Sequence, residues 1–195
     1  MDNDTLFDLL SEYLNSIDYI RAGEIPNIEL YMDQVTTFMN EHLDKCKRYD
    51  DDKILTKTMI NNYSKNDLLP PPVKKKYSRE HMFLLIFIYY FKNILSISDI
   101  HTILGPLTES FFSKQEGLDF EAIYKEVYSF EKQEKAEFSE DLRKTFARAK
   151  TSFLDAPEEQ REYLQLYTFI CMLGFDVYLK KQMIERIVDS INKKQ

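Results

Sequence analysis

Apolar residues recur at helical spacing along most of the chain. In TLFDLLSEYLNSIDYIRA, residues 4–21, Leu6, Leu9, Leu10, Tyr13, Leu14, Ile17 and Ile20 share one face, and Gly23 and Pro26 end the helix they predict. Tyr31, Val35, Phe38, Met39 and Leu43 predict a second helix over Leu30–Lys45. After the polar loop KRYDDDK a short helix is expected near Thr56–Lys65, with Thr56 as its N-cap. Pro70–Pro72 exclude helix from Leu68–Lys76. Behind Ser78, Arg79–Asn93 is apolar on nearly every face, the pattern of a helix surrounded by protein. Its run MFLLIFIYYF is about half the length of a membrane span.

Ser98, or Ser96, should cap a shorter helix through Leu104 that Gly105-Pro106 stops. Further helices are expected at about 107–113, 119–135 and 138–154, and a long one from Pro157 to about Asn192. The last opens on Asp155-Ala-Pro157-Glu-Glu, which sets proline in the first turn and acids at the positive end of the helix dipole. Strand alternation is missing except for a short hairpin at the proline–lysine bend. The expected fold class is all-α with at most a small β wing.

The last helix carries a second pattern. Tyr163, Leu166, Ile170, Leu173, Val177, Lys180, Ile184, Ile187 and Ile191 follow a 3-4 rhythm, the seam of a coiled coil. Phe169, Met172, Phe175, Tyr178, Leu179 and Met183 lie off that seam. Two readings stand together: the centre of a helical bundle within one chain, and a dimer helix paired with a second copy.

Composition adds little to this picture, and charge adds more. The chain is 44% hydrophobic and 30% charged, which is globular rather than disordered, and it carries a net charge of −7. From Lys53 to Lys92 there are eight basic residues against Asp67 and Glu80, a net of +6, so the remainder carries −13. A local basic patch on an acidic background suits a polyanion, since local potential governs phosphate attraction. The plainer alternative is a solvated loop. The three prolines before Lys74, Lys75 and Lys76 would stiffen the bend and lower the entropy lost when those lysines bind.

Candidate chemistry is sparse. Cys46 and Cys171 lack metal-site spacing. Cys171, inside an apolar run, is expected to be buried, and Cys46, between lysines, to be exposed with its thiolate favoured. His42, His81 and His101 have no partner at metal spacing and are expected at the surface or at helix ends. Without a glycine-rich phosphate loop or a glycine-flanked serine, no enzyme, no cofactor and no metal is expected. The acidic N-terminus MDNDTLFDLLSEYL lacks a signal-peptide pattern, so a cytoplasmic protein without membrane association is expected.

The order of elements narrows the choice. Met59-Ile-Asn-Asn-Tyr63 followed by Leu68-Leu69-Pro-Pro, then Lys76-Tyr77-Ser78 before the apolar helix, then Leu95-Ser-Ile-Ser-Asp-Ile100, resembles the winged helix-turn-helix of MerR-type transcription regulators over residues 30–107. The stretch also resembles an uncharacterised family of bacterial predicted regulators. The resemblance implies an N-terminal helix (1–27), a winged helix-turn-helix domain (28–107) and a C-terminal helical bundle (108–195) for dimerisation or for sensing an unknown effector.

It also implies double-stranded DNA as the partner of a homodimer. Asn61 and Asn62 would face base edges, and Lys57, Thr58 and Lys65 would contact phosphates. Tyr63 would hydrogen-bond a phosphate, although its spacing from Met59 and Ile60 suits a core residue equally. Lys74, Lys75, Lys76 and Arg79 would form the wing contact, with Tyr77 anchoring the wing's base. The competing reading keeps the fold as a protein–protein adaptor that does not touch DNA. A third, an apolar ligand among the C-terminal aromatic residues, rests on Phe and Tyr content alone.

Overall fold

The computed structural model describes residues 2–114 and 117–192. Met1, Gln115, Glu116 and the last three residues of the C-terminal domain drawn above therefore lie outside the described residues. The chain is mostly helical: α1 (Asn3–Ser16), α2 (Met32–His42), α3 (Lys57–Lys65), α4 (Arg79–Phe91), α5 (Ile97–Phe111), α6 (Phe120–Ser129), α7 (Glu131–Ala149) and α8 (Glu158–Asn192). One two-stranded antiparallel sheet joins β1 (Leu30–Tyr31) to β2 (Lys76–Tyr77), with Leu30 opposite Tyr77 and Tyr31 opposite Lys76.

Three expectations fail locally. The first helix, expected over residues 4–21, ends at Ser16, where Ile17 turns to extended backbone well before Gly23 and Pro26. Gly105-Pro106 does not stop α5, which continues to Phe111. Pro106 is exposed, so the carbonyl it leaves without a donor can bond to water, while Leu104 keeps the helix docked from its buried side. The boundary expected between 135 and 138 falls instead at Phe130, where α6 hands over to α7 through one residue. No glycine or proline marks that turn; the Phe130 carbonyl simply accepts the Glu134 N–H at 2.9 Å and opens the next helix.

The chain divides into two compact units. The central unit comprises Tyr19–Ser129 with Glu185–Gln195, and the terminal unit comprises Met1–Asp18 with Phe130–Ile184. In the central unit, Met82 to Tyr89 of α4 are all buried. Burying a side chain of this size contributes about 2 kcal/mol, so this helix is the main apolar support of the unit. Around it, Phe83 and Phe87 meet Tyr124 of α6 at ring separations of 4.5 and 5.5 Å. The Tyr124 hydroxyl donates to the Ile20 carbonyl at 2.6 Å, pinning the segment that precedes the sheet. At the far end, Thr102 of α5 donates to Asn192 of α8 at 3.0 Å.

The terminal unit is α1, α7 and α8 up to Ile184. Its core is small: Leu142, Phe146, Ala149 and Phe169 are buried, with Phe7, Leu10 and Leu166 partly buried against them. Phe146 stacks on Phe7 at 4.7 Å and meets Phe169 edge-on at 5.3 Å. Polar latches hold the turn between α7 and α8. Buried Gln165 donates to the Lys150 and Ser152 carbonyls at 2.8 and 3.1 Å, and Lys150 reaches both oxygens of Asp4 at 2.8 Å.

Candidate nucleic-acid interface

The helix α3 forms where the sequence places a cap and an amphipathic repeat. Thr56 Oγ1 accepts the Met59 N–H at 3.2 Å, satisfying one of the donors a helix start leaves open. Its approach is fixed from α2: Asn40 Oδ1 accepts the Ile54 N–H at 3.2 Å, and Ile54 and Leu55 are buried. Ile60 and Tyr63 turn inward. Lys57, Thr58, Asn61, Asn62 and Lys65, spaced one turn apart, stand exposed on the opposite face, and no acid interrupts the helix. The exit is a Schellman turn in which Leu68 N–H bonds to the Tyr63 carbonyl at 2.9 Å and Asp67 N–H to the Ser64 carbonyl at 3.4 Å. Asp67 takes the left-handed position there with φ 55°. Leu68 and Leu69 then drop into the core and deliver the chain to the prolines.

Beyond Pro72 the backbone reverses in a four-residue turn, Val73–Lys76, closed by Lys76 N–H to the Val73 carbonyl at 2.9 Å. Its two central residues, Lys74 and Lys75, both have positive φ, 51° and 65°. Two consecutive left-handed residues are the pattern of a type I′ turn, for which Asn-Gly is the favoured pair. Each lysine there costs about 1 kcal/mol, because its Cβ crowds the carbonyl. The turn is thus held in place by its surroundings, and it presents two exposed cationic side chains at its tip.

The base of this turn is clamped by His81, which is buried at 3% exposure. Its Nδ1 accepts the Ser78 N–H at 3.0 Å and its Nε2 donates to the Pro70 carbonyl at 3.2 Å, an arrangement that the neutral ring satisfies completely. The ring sits edge-on between Tyr77 and Phe112, at 5.5 and 4.8 Å. Burial pulls its pKa below the ordinary histidine value.

Electrostatics sort the cations into three groups. Lys57 pairs with Asp33, and Lys76 pairs with Glu29 at 3.6 Å while lying over the Tyr31 ring at 5.6 Å. The start of α3 and the base of the lysine turn are therefore tied to the same short segment, Glu29–Asp33. Lys53, Lys65, Lys74 and Lys75 are exposed, and no carboxylate among the described residues lies within ion-pair distance of them. Arg79 and Lys92 are structural. Arg79 pairs with Glu121 and donates to the Ala22 carbonyl at 2.6 Å, and Lys92 donates to the Ile54 carbonyl at 2.8 Å.

Of the residues expected at DNA, then, Lys57, Thr58, Asn61, Asn62, Lys65, Lys74 and Lys75 are exposed and Lys76 is half-buried. Asn62 is partly engaged, since Asn66 donates to its carbonyl at 2.8 Å and to its side-chain oxygen at 3.3 Å. Tyr63 and Tyr77 are in the core, 6% and 4% exposed, where burial holds both hydroxyls above their ordinary pKa. Arg79 is committed to the interior of its unit. None of these three is free to contact DNA as expected.

Sequence reasoning missed Glu29 and Asp33 as partners of the lysines, because opposite charges so far apart in the chain meet only after folding. Of the histidines, His42 ends α2 and is exposed, and His101 is exposed, as expected, whereas His81 is the buried clamp. His42 stacks on Phe38 at 3.9 Å with its Nδ1 2.9 Å from the Phe38 carbonyl. The cysteines exchange places: Cys171 is exposed, and Cys46 is half-buried, with burial raising its pKa. Among the described residues no group of three or more His, Cys, Asp or Glu could hold a metal ion, and no helix is long and apolar enough to cross a membrane.

No curated protein and no solved structure matches this chain. The resemblance to MerR-type regulators is overturned: no MerR or helix-turn-helix family matches, and the match that is found is to a domain with no assigned function. It runs over residues 20–127, within a residue or two of the central unit's main stretch, Tyr19–Ser129. The chain belongs to the family of that domain of unknown function, DUF1836.

Proposed function

We propose that the protein is a cytoplasmic, non-enzymatic regulator that binds double-stranded DNA through the exposed face of α3 and the tip of the lysine turn. In this reading Asn61 and Asn62 lie toward base edges, with Asn61 suited to the paired donor and acceptor of adenine. Lys57, Thr58 and Lys65 lie toward phosphates, and Lys74 and Lys75 grip the adjoining backbone as a short wing. The observation that carries the proposal is the juxtaposition of an acid-free polar helix face and a strained, doubly cationic turn, both tied to Glu29–Asp33, on a chain of net charge −7. Releasing Lys57 and Lys76 from their exposed partners costs little, since such pairs contribute about 0–1 kcal/mol each.

The adaptor reading is favoured by one specific feature: Asp33 and Glu29 partly neutralise the surface that phosphate would have to approach. Fluorescence anisotropy with a random-sequence duplex at low salt separates the two. The DNA reading expects binding that weakens steeply with salt, and a loss of about tenfold or more in Lys74→Ala/Lys75→Ala. Absence of binding by the unaltered chain at low salt overturns it and leaves the adaptor.

A further inference from the structure

The predicted seam of α8 is split by the fold. Its Leu166 and Leu173 positions turn toward the terminal unit's core, while Tyr163, Ile170 and Val177 stay 69%, 57% and 58% exposed. Beside those three lie Tyr167 and Tyr178, also more than half exposed, and Gly174, where an added Cβ would meet nothing within 4 Å. Tyr163, Tyr167, Ile170, Gly174, Val177 and Lys181 follow each other at 4-3-4-3-4 spacing, a second heptad seam on the outer side of the helix. At about 100 Å² of exposed surface for each of Tyr163, Tyr167, Ile170, Val177 and Tyr178, the stripe amounts to on the order of 500 Å² per chain. Two such stripes remove roughly 1,000 Å², the area a specific protein interface has to reach.

We infer that this stripe is the contact between two copies of the chain, with the α8 helices antiparallel. Residue sizes favour that direction. A parallel pair would set Gly174 against Gly174, leaving a hole at the centre. An antiparallel pair in which the layers alternate places Ile170 opposite Gly174 and Tyr167 opposite Val177. The large side chain then fills the gap left by the small one. No acidic residue lies on the stripe between Tyr163 and Lys181, so the net charge of −7 does not oppose the contact locally. A self-complementary face of this kind closes a two-fold pair and does not propagate.

The inference is independent of the DNA reading and is tested by mass. Sedimentation equilibrium of the full chain should give twice 23.3 kDa at micromolar concentration. Ile170→Glu and Val177→Glu should each raise the dimer dissociation constant by about 100-fold or more with unchanged far-UV circular dichroism, because both side chains are exposed in the single chain. Tyr49→Glu, at an exposed apolar residue of the central unit, should leave the dimer intact. A monomer up to about 200 μM, or a dimer that survives both glutamates, overturns the inference, whatever the chain does with DNA.

Discussion

The central unit closes over its apolar residues and the terminal unit leaves many of its own exposed. In the central unit nine consecutive residues of α4, His81 to Tyr89, are buried, and aromatic contacts from α6 cover them. In the terminal unit α1 has no buried residue, and the core is a four-residue cluster with a half-covered fringe. Meanwhile Phe175, Val177, Tyr178, Leu179 and Met183 of α8 face solvent. A helix apolar on most of its circumference is stable where other protein surrounds it. The contrast teaches that the two units meet different demands. The first buries its apolar helix and carries a strained cationic turn, and the second leaves an apolar helix face open to solvent. The family match falls on the scaffold.

The largest effect that can break this contrast is a cavity in the scaffold. Phe83→Ala removes a side chain that is 1% exposed, in ring contact with Tyr124 and beneath the Arg79 guanidinium. It is expected to cost about 3–5 kcal/mol in urea unfolding. Tyr163→Ala, on the open stripe, should change the stability of the isolated chain by less than about 0.5 kcal/mol. Equal losses at the two sites would mean that α8 is not open.

Acid should act on the scaffold next. Because burial lowers the His81 pKa, the unfolded chain binds more protons than the folded chain once pH falls below the ordinary value of 6.5. Stability from this clamp is therefore complete above pH 6.5 and is lost as pH drops through the lowered folded value. Thermal unfolding between pH 7.5 and 5 should show the decline, and His81→Gln should flatten it, since a neutral amide can still accept from Ser78 and donate to Pro70.

A smaller effect sharpens the comparison by separating stability from function. Lys74→Asn/Lys75→Gly supplies the residues that a type I′ turn prefers, so it should stabilise the chain by about 1 kcal/mol. The same change removes the cationic tip and should weaken duplex binding. A variant that gains stability and keeps full affinity would detach the turn from the proposed function. A small effect is expected also from Asp4→Ala, which breaks an exposed latch to Lys150 in the terminal unit; urea unfolding should register less than about 1 kcal/mol.

What the sequence discloses depends on how local the determining interaction is. The burial of α4, the Thr56 cap and the Pro157 start of α8 are legible because run length, cap chemistry and proline each act within a turn. The Val73–Lys76 turn is legible as a bend but not in its geometry. Without a glycine, no side chain announces two left-handed residues, and the clamp that holds them comes from His81 and the Ser78 backbone. The passage of α5 through Pro106 depends on which side of the helix faces water, which is a property of the packed chain. The α8 seam is visible as a rhythm, yet its division between Leu166 and Leu173 inside and Ile170 and Val177 outside follows from which side of the helix meets the Leu142–Phe146–Phe169 cluster. Asp33 and Glu29, the acids that temper the cationic surface, could be found only once α2 and the sheet had set them beside Lys57 and Lys76.

The cationic surface itself is tested most directly by titrating the ¹⁵N-labelled chain with a random-sequence DNA duplex at low salt and following backbone amide shifts. The largest shifts are expected over Lys57–Lys65 and Val73–Lys76, fading as salt is added, with α7 and the exposed stripe of α8 unmoved. Shifts confined to α7 and α8, or none at any salt concentration, would contradict it.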